Sequence, residues 1–221
     1  GGQYISRKWN ATGPDDYNVP MQRGRPWERQ VSFEVINGPS NEWIQVDAGL
    51  RISGSNYTRP RYILKQSDLD DRWDGNAHKD KPQFNMFFRK VYGAGRFEYP
   101  LMPNWAITSF DGIRLRGGKN DYDNPFITDE LMRRLFINCG QPGSPGVIAN
   151  LYYNGEYKSY YNPAARYVEA FFQDAYNSPF EWDIMNHGGL SNGTRTFWDE
   201  ARAFRDFGST DLSNLADYEQ M

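Results

Sequence analysis

The 221-residue sequence is short of the residues that staple or metallate small domains: one cysteine, Cys139, and two histidines, His78 and His187. A single cysteine excludes an internal disulfide framework. No third ligand is spaced around either histidine to complete a zinc site, so both read as loop histidines. Charge of neither sign dominates: 25 Lys and Arg stand against 28 Asp and Glu, a formal net charge of -3. That balance excludes a surface built throughout to neutralise phosphates, so nucleic acid is not an expected partner. No apolar run reaches membrane-spanning length, so no membrane span is expected. The Gly-x-Ser-x-Gly elbow and the P-loop pattern are both absent. Adjacent carboxylates occur (Asp70-Asp71, Asp129-Glu130, Asp199-Glu200), but adjacency does not place two acids across a substrate. The start, Gly1-Gly2-Gln3, has neither an initiator Met nor a signal pattern, which leads us to expect a processed product or a segment of something longer.

What the sequence does have is rings. Seven Trp, 15 Tyr and 14 Phe make up 16% of the chain, a content that excludes disorder and requires either burial or an adhesive surface. Residues 1–28 are punctuated by Gly and Pro and read as an irregular arm, with Trp9, Tyr17 and Trp27 lying on a surface. Val31, Phe33 and Val35 alternate with polar residues as a strand. Ile44, Val46, Ala48, Leu50 and Ile52 do the same, up to the break at Ser53-Gly54-Ser55-Asn56. Residues 65–80 are charged and polar, with Asp68, Asp70, Asp71, Asp74 and Asp80, and read as a solvated insertion; the alternative is a cation held by the Asp carboxylates, without the ligand spacing of an EF-hand loop. Phe84, Met86 and Phe88 form a further alternating run. Ile113 and Leu115 mark a short strand before the loop Gly117-Gly118.

Thr128 is a good helix N-cap, with Asp129 and Glu130 at the positive end of the helix dipole. The spacing predicts an inward stripe of Leu131, Met132, Leu135, Phe136 and Cys139 ending at Gly140, with Cys139 a small core residue rather than a nucleophile. Asn154-Gly155 predicts a hairpin between Val147–Tyr153 and Glu156–Tyr161. Asn162-Pro163 predicts the start of a second helix, with Ala164, Val168, Phe171, Phe172 and Ala175 inward. A third helix is expected over about Phe197–Phe207, with Phe197, Ala201 and Phe204 inward and Gly208 as its stop, and a fourth from about Asp211. The expected class is α+β: an arm over 1–28, a strand-rich lobe over 29–162, and the beginning of a helical lobe over 163–221.

A turn at Gly54, a lysine (Lys81) before a strand and a helix carrying Glu130 are the parts of a kinase-like small lobe, with antiparallel strands and one helix. Six stretches in order extend this. They are Arg29-Gln30-Val31-Ser32-Phe33-Glu34, Asp47-Ala48-Gly49-Leu50-Arg51-Ile52-Ser53-Gly54, and Lys81-Pro82-Gln83-Phe84 with Phe88-Arg89-Lys90-Val91-Tyr92-Gly93. Then come Leu115-Arg116-Gly117-Gly118-Lys119-Asn120-Asp121, Phe126-Ile127-Thr128-Asp129-Glu130-Leu131, and Leu151-Tyr152-Tyr153-Asn154-Gly155-Glu156-Tyr157. Over residues 29–190 the chain resembles the CotH family, bacterial spore-coat proteins regarded as atypical protein kinases. The resemblance implies transfer of a phosphoryl group from ATP, with Mg²⁺ or Mn²⁺, to a protein hydroxyl, at the cell surface or outside the cell.

By the same resemblance, Lys81 holds nucleotide phosphates, Glu130 is its helix partner, and Gly54 and Ser55 approach the phosphates through backbone N–H groups. Without it, Lys81 reads equally as a flanking surface charge, and Glu130 is accounted for by the helix dipole. Two departures stand out. The family's Glu-Arg pair after the hairpin falls on Ala165-Arg166, and Ser159 replaces a glycine. The family's later segment, with its catalytic and metal-binding Asp residues, has no counterpart before Met221. Accordingly, no residue of this chain is assigned as catalytic or as a metal ligand, and the chain alone is expected to be inactive, as a fragment or a degenerate member. The competing expectation is a non-catalytic extracellular module for assembly or carbohydrate binding. Its exposed Tyr and Trp would meet neighbouring subunits or polysaccharide, with Tyr152, Tyr153, Tyr157, Tyr160 and Tyr161 of the hairpin the rings in excess of core needs.

Overall fold

A computed structural model describes residues 23–54, 59, 81–103, 105–118, 127–186 and 189–206. Most of the N-terminal arm, the acidic insertion, both histidines, Ser55 and the expected fourth helix lie outside the described residues. The chain divides into two compact units, Gly1–Tyr167 and Val168–Met221.

The strands of the first unit are β1 (Arg29–Val35), β2 (Ile44–Ser53), β3 (Gln83–Phe87), β4 (Phe97–Glu98), β5 (Ser109–Phe110), β6 (Gly112–Arg116), β7 (Ala149–Tyr153) and β8 (Glu156–Ala165). One helix, α1 (Thr128–Asn138), lies between β6 and β7. Six strands form one antiparallel sheet in the order β1-β2-β3-β6-β8-β7, and β4 and β5 form a small separate pair. The second unit contains α2 (Glu169–Tyr176), β9 (Ile184–Asn186), β10 (Gly189–Asn192) and α3 (Thr196–Asp206), with β9 and β10 antiparallel. The class is α+β, as expected. Among the described residues no helix is long and apolar enough to cross a membrane.

Alternation along the strands separates two faces of the large sheet. One is apolar: Ala48, Phe84, Met86, Ile113, Leu115, Tyr161 and Ala165 are buried there. Rings extend this core. Phe97 lies 5.4 Å from Phe33, 5.1 Å from Phe88, 5.6 Å from Tyr99 and 6.4 Å from Phe110, between ring centroids. Much of the Phe content is therefore ordinary core. The other face is polar. Register places Arg51 beside Asn85, Asn85 beside Arg114, and Arg116 beside Asn162.

Three expectations are corrected. The helix predicted from Asn162-Pro163 does not start there; β8 continues to Ala165, and α2 starts at Glu169. Proline lacks only its own N–H, and the ladder is made around it: Val147 N donates to Pro163 O and Ala165 N to Pro145 O. The residue before proline also favours extended backbone. Second, α1 forms at the expected place, but its apolar stripe faces outward. Leu131 is 49% and Leu135 47% exposed, Met132, Phe136 and Cys139 are exposed too, and Glu130 is the buried residue of the helix. Thr128 is inside the helix rather than its cap; Ile127 occupies that position, with no side-chain cap. The stop is as expected, with Gly140 N donating to Ile137 O and Gln141 N to Phe136 O in a Schellman motif. Third, α3 forms, but Phe197 is 76% exposed and Ala201 is also exposed, so these two expected inward positions are not covered.

Candidate functional site

Lys81 stands two residues before β3, and Gly54 immediately follows β2. Ser53 pairs with Gln83, so both lie at the same end of the sheet. Gly54 has φ 130°, a conformation that a side chain would strain, which is why a glycine ends this strand. Its carbonyl accepts from Arg59 Nε at 2.8 Å and Arg23 Nη2 at 3.2 Å, and Arg59 Nη2 also donates to Ile52 O at 2.6 Å. The turn leaving β2 is thus fixed by two guanidiniums.

The Lys81 side chain is 1% exposed. Its Nζ donates to Tyr160 O at 2.5 Å and lies 4.5 Å and 4.8 Å from the ring centroids of Tyr160 and Tyr161. Tyr161 is itself fixed by donating its hydroxyl to Pro82 O at 2.9 Å. A lysine removed from water in this way pays for its charge, and burial pulls the Lys81 ammonium down to about 7. Lys81 is therefore not the surface charge that its charged sequence neighbours suggest.

Glu130 is fully engaged elsewhere. Its Oε1 accepts from Arg134 Nε at 2.7 Å and Gly146 N at 3.2 Å, and its Oε2 from Arg133 Nη2 at 2.8 Å and Asn162 Nδ2 at 2.9 Å. Arg133 also bonds Asn162 Oδ1 and donates to Ser144 O at 2.6 Å. One turn earlier, Asp129 Oδ2 meets Arg116 Nε at 2.8 Å. The carboxylate thus clamps α1 and the 144–147 segment to β8. The direct Lys81–Glu130 pair implied by the family resemblance is not among these contacts. The two residues are related through β8 instead, Lys81 bonding Tyr160 and Glu130 bonding Asn162, two positions along. Arg133 and Arg134 stand three and four residues after Glu130, the spacing at which helix side chains meet, and that was the available sequence signal for the clamp. Asn162, 32 residues from Glu130 in sequence, gave none.

Ser55 lies outside the described residues. Ala165, at the family's Glu position, is buried on the apolar face, and Arg166, the next residue, lies over the Phe87 ring. Among the described residues no group of three or more His, Cys, Asp or Glu side chains is placed to hold a metal ion. Chemically, this end of the sheet offers one buried amine that titrates near neutrality, beside a turn fixed by arginines. No family model, curated protein or solved structure matches this chain.

Proposed function

We propose that this chain is a kinase-like small lobe of the CotH type that binds the phosphates of ATP, with Mg²⁺ or Mn²⁺, at the sheet end where Lys81 and Gly54 lie. The observation that carries this reading is the burial of Lys81. An ammonium destabilised by burial gains free energy when an anion reaches it, and a phosphate is the anion that the resemblance supplies. Glu130 acts in this reading as a positioning residue, holding through Asn162 the strand whose Tyr160 carbonyl orients the lysine. Transfer to a protein hydroxyl further needs metal-holding carboxylates and a placed base. The proposal for this chain is therefore nucleotide binding, with transfer where a further segment supplies those groups. The extracellular or cell-surface setting of the family belongs to the same proposal.

The test is thermal unfolding of the chain with and without ATP and Mg²⁺. The wild type is expected to gain several degrees, and Lys81→Met, which keeps the apolar stem, to gain none. An unchanged wild-type midpoint at millimolar ATP and Mg²⁺ would overturn the reading.

A second reading, an assembly module, is favoured by the outward apolar face of α1 together with the exposed rings of Tyr152, Tyr153 and Tyr157.

A further inference from the structure

The polar face of the sheet carries a second cluster at the other end of β3, six residues and so roughly 20 Å from Lys81. Gly49, Phe87 and Gly112 lie side by side across β2, β3 and β6. The missing side chain at Gly112 matters, because a Cβ there would come within 2.6 Å of Met86 O on β3 and 3.1 Å of Arg166 Nη1. Three guanidiniums converge on the Phe87 ring, with Cζ of Arg51, Arg166 and Arg89 at 3.9, 4.5 and 4.7 Å from its centroid. The Glu28 carboxylate meets Arg89 Nε at 2.9 Å and Arg51 Nε at 3.3 Å, and also bonds the Tyr92 hydroxyl. The Arg51 contact is misaligned, so Arg51 Nε and Glu28 Oε2 are both buried without a hydrogen bond.

Among the described residues, Arg166 has neither a hydrogen bond nor an ion pair. Burial, and then the like charges of Arg114, Arg51 and Arg89, pull its pKa down to about 10 against the opposing effect of Asp111, which still leaves it charged at neutral pH. The cluster therefore holds more positive charge than its own carboxylates neutralise. Stacked guanidiniums keep their in-plane N–H forks for a partner, and those forks match the oxygens of a phosphate.

We propose that Arg51, Arg89 and Arg166 form a binding site for a phosphate-class oxyanion, taken up free or as a small phosphate ester. This goes beyond the nucleotide reading and does not depend on it, since Lys81 is not part of the cluster.

The test uses the full chain with inorganic phosphate as the probe, followed by thermal unfolding and by phosphorus NMR line width, against a chloride control of matched ionic strength. Phosphate is expected to raise the wild-type midpoint. Arg166→Gln should need about tenfold more phosphate for the same shift, the loss expected for one charge-assisted contact. Arg166→Lys keeps the charge without the fork, so it should be weakened as well, by less. Lys81→Met should respond like the wild type, which separates this site from the nucleotide proposal. Phenyl phosphate run in parallel identifies the source: tighter binding than inorganic phosphate marks an ester site, equal or weaker binding a site for the free ion. An undiminished response in both Arg166 variants, or a wild-type shift no larger than the chloride control, would sink the proposal.

Discussion

Lys81 shows how far a residue's setting can depart from its sequence neighbourhood. Asp80 precedes it, yet its ammonium is buried against Tyr160 and Tyr161, 79 and 80 positions away, a contact no local pattern announces. Its place before a strand and the family resemblance marked it, but neither indicated its burial. Its pKa has a consequence for stability. The folded value is drawn down to about 7, while the unfolded chain keeps the ordinary 10.5. Below 7 both states are protonated, and the folded state bears the full cost of the buried charge. Between the two values the unfolded state binds more protons, so stability rises with pH, by at most about 1.4 kcal/mol per unit from this group. Tyr92 and Tyr167, both pushed upward mainly by burial, act in the opposite sense as the unfolded tyrosines ionise, near 10.0. Urea unfolding between about pH 7 and pH 9 therefore isolates the lysine. The wild type is expected to gain stability across that interval relative to Lys81→Met. Parallel pH profiles for the two proteins would show that Lys81 keeps its proton in the fold.

The helix α1 inverts the usual logic of an amphipathic element. Its leucines follow the spacing of a core stripe, so the sequence pattern locates the helix correctly and assigns the wrong side to the protein. The reason lies in the sheet it meets. Register brings Arg116 and Asn162 together on the polar face, and those groups need charged partners, which Asp129, Glu130 and Arg133 supply. Strands were more legible. The alternations of β1, β2, β3 and β6 and the Asn-Gly hairpin depend on local periodicity and turn chemistry, and they stand where they were expected. The length of β8 depends on donors from the neighbouring 145–147 segment, which a proline signal alone cannot reveal. Two substitutions separate the faces of α1 by denaturant unfolding at low protein concentration. Leu135→Gln should stay within about 0.5 kcal/mol of wild type, as for a surface position. Glu130→Gln should cost about 3 kcal/mol or more, because it removes the charge that Arg133 and Arg134 pair with and turns one of the two acceptor oxygens into an NH2 donor facing other donors. The reverse order would restore the inward stripe.

At the scale of the molecule, aromatic rings among the described residues of the first unit fall on two kinds of site. Phe33, Phe84, Phe88, Phe97 and Phe110 build the apolar side of the sheet, with Tyr99 and Tyr161. Tyr152, Tyr153 and Tyr157 of the hairpin and Leu131, Met132, Leu135 and Phe136 of α1 stay exposed within the same unit. Single exposed apolar residues are common on any surface, but a stripe along one helix face is a candidate for contact. The assembly reading then makes a demand that the nucleotide reading does not. Covering that stripe removes apolar area from water, so association should grow with concentration and weaken when the stripe is made polar. Sedimentation velocity over a wide concentration range checks this with Leu135→Gln and Met132→Gln combined. The wild type is expected to self-associate, and the double variant to remain monomeric at the same concentrations with its thermal midpoint unchanged. A wild type that stays monomeric throughout would remove subunit assembly as the use of that face. Because neither position touches Lys81 or Arg166, the ATP and phosphate responses of the double variant should be those of the wild type, so the surface and the two anion sites can be judged separately.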